Sequence, residues 1–206
     1  MKTTVFLIRH GAVPDEHAGR YYGQTDIPLS RDGVSQISAM AEHLRKDMSS
    51  DPGAVYSSDL VRALNSGQII AAAFGLQPIA APQLRERHFG RWEGLTFDEI
   101  RSRHPKDFGR WLGDPTGFKP PGGENAGEVR QRVMPFFHEV VQRHPGRQIA
   151  VVAHGGVNRI ILCTLLRIPL EHLFSIGQDY GALNILELGD DFTRVRAINH
   201  TAVSKE

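Results

Sequence analysis

The chain contains a single cysteine, Cys163, which excludes an internal disulfide and any site built from clustered thiolates. That cysteine falls in an apolar helical pattern and reads as core packing. Excess charge is scarce as well. The formal net charge is +1, so no global field favours nucleic acid or an anionic membrane. No apolar run approaches the roughly 20 residues needed to span a bilayer. Met1-Lys2-Thr3-Thr4 leads directly into an apolar strand pattern, leaving no room for a signal peptide. These absences predict a cytoplasmic protein with neither a membrane nor a nucleic-acid partner. Metal motifs are missing too: there is no HExxH and no aspartate-rich triplet, so no metal or other cofactor is expected. What remains is 206 residues at 40% hydrophobic and 23% charged, ordinary for one soluble α/β domain.

Apolar strand-like runs at 4–8, 54–57, 78–81, 149–153, 183–188 and 194–198 alternate with helical patterns. Ser30 is placed to cap a helix over 31–48, and Ser58 to cap one over 59–73. A third helix is predicted over 124–144, closed by Pro145-Gly146, and a fourth over 157–166. The alternation predicts an α/β fold: a three-layer α/β/α sandwich with a mainly parallel sheet. The last two runs, joined by Gly189-Asp190-Asp191, read as a hairpin that supplies an antiparallel edge strand. Residues 89–123, rich in glycine, proline, tryptophan and charge, form the one irregular excursion. Trp92 and Trp111 within it are suited to stacking on a ligand ring or to anchoring the segment by packing.

The chemistry collects at predicted strand ends, where open α/β sheets bind ligands. The first strand ends on Arg9-His10-Gly11: a guanidinium fork for phosphate, an imidazole nucleophile and a glycine that permits close backbone approach. The run at 149–153 ends on His154-Gly155-Gly156 and opens a helix whose free N–H groups favour an anion. Arg62 follows Ser58-Asp59 by one helical turn. Leu84-Arg85-Glu86-Arg87-His88-Phe89-Gly90 puts a carboxylate in a glycine-bounded loop, either as a proton donor or as a salt-bridge partner of Arg85 or Arg87. Phosphate explains this set best, because phosphoryl transfer needs its equatorial oxygens neutralised. His17, His43, His104, His138, His144, His172 and His200 fall on polar stretches and read as solvated surface.

Four segments in this order, Arg9-His10-Gly11, Ser58-Asp59-Leu60-x-Arg62-Ala63, Leu84-x-Glu86 and His154-Gly155-Gly156, resemble the histidine phosphatase superfamily, the phosphoglycerate mutase-like proteins. The match runs from Leu7 to about Leu186. The resemblance implies metal-independent hydrolysis of a small phosphomonoester through a phosphohistidine on His10, with Arg9, Arg62 and His154 around the phosphoryl group. It places the family's acid on Glu86. Gly23 and Gln24, in Arg20-Tyr21-Tyr22-Gly23-Gln24-Thr25, match the segment that touches the transferred group, and Gly11 and Gly155 complete the implied substrate contacts. His88 is a weaker pocket candidate. Residues 89–123 are implied to form a partial lid.

Two positions depart from the family pattern. Glu16 stands where an asparagine often contacts phosphate, and Ala12 replaces the acidic residue usual after the motif glycine. A carboxylate cannot donate to a phosphate oxygen. The look of the chain is closest to α-ribazole phosphatases and broad-specificity phosphatases, which brings in α-ribazole 5′-phosphate as one substrate. Two other outcomes stay open: mutase-type phosphoryl transfer, and a phosphate-binding regulatory protein with little turnover. The physiological ligand, a small phosphorylated metabolite, and the oligomeric state are not fixed by sequence.

Overall fold

The computed structural model describes residues 1–17 and 19–202, with the His17 side chain left out; the expectation made for that side chain lies outside the described residues. Its centre is one six-stranded sheet with strand order β3-β2-β4-β1-β5-β6. The strands are β1 (Thr3–Arg9), β2 (Val55–Ser57), β3 (Ile79–Ala80), β4 (Gln148–Ala153), β5 (Leu183–Leu188) and β6 (Thr193–His200). β1, β4, β2 and β3 run parallel, while β5 is antiparallel to β1 and turns back into β6. The predicted mainly parallel sheet with an antiparallel hairpin at one edge is therefore present.

Side-chain alternation along β1 divides the core into two layers. Val5 and Leu7 face Val129, Val133 and Phe137 of α5 (Ala126–Arg143) and Ile160 and Ile161 of α6 (Gly155–Leu166). Phe6 and Ile8 face Ile37, Met40 and Leu44 of α1 (Arg31–Asp47) and Ile70 of α2 (Val61–Ala72). The central strands are buried on both sides, which is why they read as continuous apolar runs. Cys163 is fully buried in the α5/α6 layer, as expected. No helix among the described residues is long and apolar enough to cross a membrane.

Caps fix where the helices begin. Ser30 accepts the Gly33 N–H and starts α1 as predicted. α5 starts two residues later than expected, because Asn125 and Glu128 form a reciprocal capping box. Ser58 does not cap α2: Leu60 holds that position without a side-chain bond, and the Ser58 hydroxyl is engaged elsewhere. The excursion is more ordered than its composition suggests. It carries α3 (Phe97–Arg103), with a Thr96/Glu99 capping box, and α4 (Pro105–Gly113). Trp92, Ile100 and Phe108 form a separate small core there. Trp92 is fully buried and stacks on Phe118 at 5.3 Å, and Trp111 meets Trp92 edge-on at 6.0 Å. Both indoles anchor the segment by packing.

Candidate active site

β1 and β4 are paired in parallel register, Arg9 opposite Ala153, so their ends deliver His10 and His154 side by side. The two rings meet edge-on with centroids 5.1 Å apart, and both residues are buried. Nδ1 of His10 lies 2.7 Å from the Gly11 carbonyl oxygen. A carbonyl only accepts, so Nδ1 carries the proton and Nε2 keeps its lone pair. Burial, followed by the charges of Arg62 and Arg9, holds the His10 imidazole well below the usual histidine range. The ring is thereby a neutral base with one free nitrogen.

Gly11 serves this arrangement indirectly. Its N–H donates to Ser66 Oγ, whose hydroxyl donates to the Arg62 carbonyl. An added Cβ would stand 2.3 Å from the Gly33 carbonyl oxygen, so the close approach that requires glycine is to α1. Both polar backbone groups of Gly11 are spent inside the protein, which makes it a positioning residue and not a demonstrated ligand contact.

His154 is oriented by Ser58. The Ser58 hydroxyl accepts from the Leu60 N–H at 3.3 Å and lies 2.9 Å from His154 Nε2. Its single proton is then available for Nε2, which leaves the proton of a neutral His154 on Nδ1. That Nδ1 is buried with no partner in the protein, as is Nε of Arg9. Two buried donors without a partner, one of them on the ring beside His10, suit an oxyanion. Burial and the nearby arginines push the His154 imidazole well below its usual range.

Two guanidiniums flank the histidines. Arg9 donates to the Gln178 carbonyl and stacks under the Tyr180 ring at 3.9 Å. Arg62 is held by the Thr25 and Gly23 carbonyls at 2.9 and 2.6 Å. Gly23 has φ of +49°, a conformation that suits glycine. Glu93 fixes the same turn by accepting the Gln24 N–H at 3.0 Å and the Thr25 hydroxyl. The side-chain amide of Gln24 donates to the Glu86 carbonyl at 3.2 Å. Gly23 and Gln24 therefore join Arg62 to the Glu86 loop.

The salt-bridge alternative for Glu86 is absent. Arg85 makes a two-pronged pair with Asp59 at 2.8 and 2.6 Å. Arg87 gives its guanidinium to the Glu124, Pro115 and Phe118 carbonyls. The Glu86 carboxylate instead accepts two backbone N–H groups, from Arg87 at 2.8 Å and Gly156 at 2.9 Å. The Gly156 N–H, expected to serve an anionic ligand at the start of α6, is thus occupied by Glu86. An added Cβ on Gly156 would come 2.4 Å from its Oε1, so this glycine makes room for the acid.

The sequence reading missed several members of the site. Ser58 and Ser66 were legible only as helix residues, and Tyr180 and Gln178 lie in a loop with no motif. Gln178, Asn158 and Asn184 form a buried amide network that ties this loop to the Leu7 carbonyl on β1. His88, half-exposed, sits 3.5 Å from Glu93. Glu16 is exposed on a 3-10 turn, Asp15–His17, beyond Gly11. His144 is not simply solvated: its Nε2 lies 3.0 Å from the Tyr56 hydroxyl. A cavity of about 630 Å³ opens at the opposite end of the sheet, between Met1, Phe137 and Leu188. It contains none of these groups.

Comparison with known proteins agrees with the geometry. Residues 5–201 match the model of the histidine phosphatase superfamily (branch 1), and the chain belongs to that family. It is a hydrolase of phosphate esters. It is similar to phosphoserine phosphatase 1 of Hydrogenobacter thermophilus, at 30% identity over 197 residues, 96% of this chain and 92% of that one. A metal-independent phosphoserine phosphatase of Arabidopsis thaliana is 36% identical over 161 residues, 77% of this chain and 67% of that one. Among solved structures, the α-ribazole phosphatase of Shigella flexneri superposes with a TM-score of 0.86 at 26% identity, covering 98% of this chain and 99% of that one.

Proposed function

We propose that the protein hydrolyses a small phosphomonoester in two steps through His10, without a metal. The observation that carries this reading is the His10 imidazole, buried and neutral, with Nδ1–H fixed on the Gly11 carbonyl and Nε2 free. In the first step Nε2 attacks phosphorus. The bond to the ester oxygen breaks, and the departing alkoxide takes a proton from Glu86. Arg9, Arg62 and His154 Nδ1–H neutralise the three equatorial oxygens. In the second step water attacks the phosphohistidine and gives its proton to the Glu86 carboxylate. The N–P bond breaks, and His10 regains its lone pair.

Charge supply supports the metal-free route, since the Arg9 and Arg62 guanidiniums and the unpartnered His154 Nδ1–H are already gathered around His10. The Arabidopsis relative, described as metal-independent, points the same way. The 89–123 segment is assigned as a cover over the mouth, because Glu93 at its start grips the turn that holds Arg62. A substrate panel should include α-ribazole 5′-phosphate and O-phosphoserine, the substrates in the names of similar proteins.

The test is turnover of p-nitrophenyl phosphate in EDTA by wild type and His10→Ala, with detection of an acid-labile, base-stable phosphoenzyme after an alkaline detergent quench. Wild type should be unaffected by EDTA and form the phosphoenzyme. The variant should lose about 10⁴-fold or more of its turnover and show no phosphoenzyme. Full activity in His10→Ala would overturn the mechanism, and loss of wild-type activity in EDTA would overturn its metal independence.

A further inference from the structure

One cation near the site has no part in the reaction just described. Arg159 lies one helical turn beyond Gly155 on α6, at spacing i, i+4. Helical side chains lean towards the N-terminus, so Arg159 folds back over Gly155 towards the phosphoryl position. Gly155 makes this possible. The point where its Cβ would stand lies 3.3 Å from Arg159 Nη1 and 3.3 Å from Arg9 Nε, so the two guanidiniums meet across one missing methyl. Arg159 also lies within electrostatic reach of Glu86.

Nε of Arg159 donates to the Ile176 carbonyl at 2.8 Å, which fixes the plane of the fork. Phe174, an exposed ring, lies 5.9 Å from its central carbon. Among the described residues, Nη1 and Nη2 have no hydrogen-bond acceptor, and Arg159 forms no ion pair. Arg9 and Arg159 repel each other, and the Glu86 and Asp179 carboxylates, which act on both through space, bond to neither guanidinium among the described residues. An anion shared across the pair removes that cost.

We propose that Arg159 binds a carboxylate carried by the alcohol part of the substrate, next to the phosphoryl group held by Arg9. The ligand class is a short phosphorylated hydroxy or amino acid. A planar fork with two free terminal nitrogens matches the two oxygens of a carboxylate. Charge balance favours a carboxylate over a second phosphate. Arg9, Arg62 and Arg159 carry three positive charges against the carboxylates of Glu86 and Asp179, so one added carboxylate beside the phosphoryl group costs less than a second phosphate dianion. This assignment rests on the reading that the phosphoryl group lies against His10 and Arg9.

O-Phosphoserine and O-phosphoethanolamine differ by one carboxylate and test the assignment directly. The ratio of their kcat/KM values should favour phosphoserine by about 10- to 100-fold in wild type, mostly through KM. Arg159→Met should reduce the ratio to about threefold or less. Arg159→Lys, which keeps the charge without the fork, should retain an intermediate ratio. Equilibrium binding of both compounds to His10→Ala, measured by calorimetry, separates this assignment from the mechanism. Preference for phosphoserine there, without turnover in wild type, would keep the subsite and overturn the hydrolytic reading. Hydrolysis of both compounds with equal efficiency, or a preference unchanged in Arg159→Met, would overturn the subsite and leave the mechanism standing.

Discussion

Arg9, His10 and His154 stand on the ends of two neighbouring parallel strands, whereas Glu86 hangs from a loop between β3 and α3. The strand-end floor is positioned by the sheet itself, since the β1–β4 register dictates where both imidazoles fall. The wall that carries Glu86 has no such frame. Arg132 on α5 donates to the Gln83, Arg85 and Glu86 carbonyls, at 2.8, 2.8 and 3.4 Å, and pairs with Glu124 at 2.9 Å. Glu124 in turn accepts the His88 N–H at 2.9 Å. Side chains thus do for the wall what backbone ladders do for the floor. Rigid strands suit the nucleophile, whose orientation must not vary. A loop suits the group that hands a proton out and takes one back.

Changing the acid itself should separate the two regions most sharply. Glu86→Gln keeps the size of the side chain and removes the proton, at the cost of one of the two backbone N–H bonds, because the amide NH2 cannot accept. Turnover of an alkyl phosphate should fall by roughly 10²–10⁴-fold. With p-nitrophenyl phosphate the first step should suffer much less, because nitrophenolate leaves with little help. The second step still needs water activated, so phosphohistidine should accumulate and a burst of nitrophenolate should appear. Rapid-quench kinetics on both substrates checks this. Equal losses without accumulated phosphoenzyme would remove Glu86 from the reaction.

A smaller effect is expected one step further out. Arg132→Met releases the Glu86 backbone while leaving every group of the floor in place. Misplacing a reacting group by about 1 Å can cost on the order of 10² in rate, and that bounds the loss in kcat. KM should change little. The diagnostic is leaving-group dependence, with a larger loss on alkyl than on nitrophenyl phosphate, as in Glu86→Gln. Uniform losses on both substrates would mean that Arg132 stabilises the fold without steering the acid.

The same contrast decides how much was legible in advance. Floor residues are the easier to find, because Arg9-His10-Gly11 and His154-Gly155-Gly156 each follow an apolar run that reads as a buried strand. Both layers of the core follow from the alternation in Val5-Phe6-Leu7-Ile8. The wall is encoded at long range. Arg85, Glu86 and Arg87 are three consecutive charged residues, and nothing local says that Arg85 meets Asp59 or that Arg87 is consumed by carbonyls. Ser58 had the right spacing for a helix cap, but its hydroxyl serves His154, since tertiary contacts outweigh a local capping preference. Tyr180 and Arg159 needed the fold, because only the packing of α6 against the 176–182 loop brings them to Arg9.

The smallest predicted effect concerns the energetic cost of the floor. His10 and His154 are held neutral, each with its pKa well below the unfolded histidine value. As pH falls below about 6.5, the unfolded chain takes up protons that the folded chain refuses. Stability must therefore decline as pH falls through that window, by up to about 1.4 kcal/mol per pH unit for each buried imidazole. His144, also lowered by burial, adds in the same direction. His10→Ala removes one of the two refusals, so between pH 6.5 and 5.5 it should lose about 1 kcal/mol less stability than wild type. Urea unfolding at the two pH values measures the difference. Parallel losses would mean that His10 takes up its proton in the folded protein as readily as in the unfolded chain, and that burial does not hold the ring neutral.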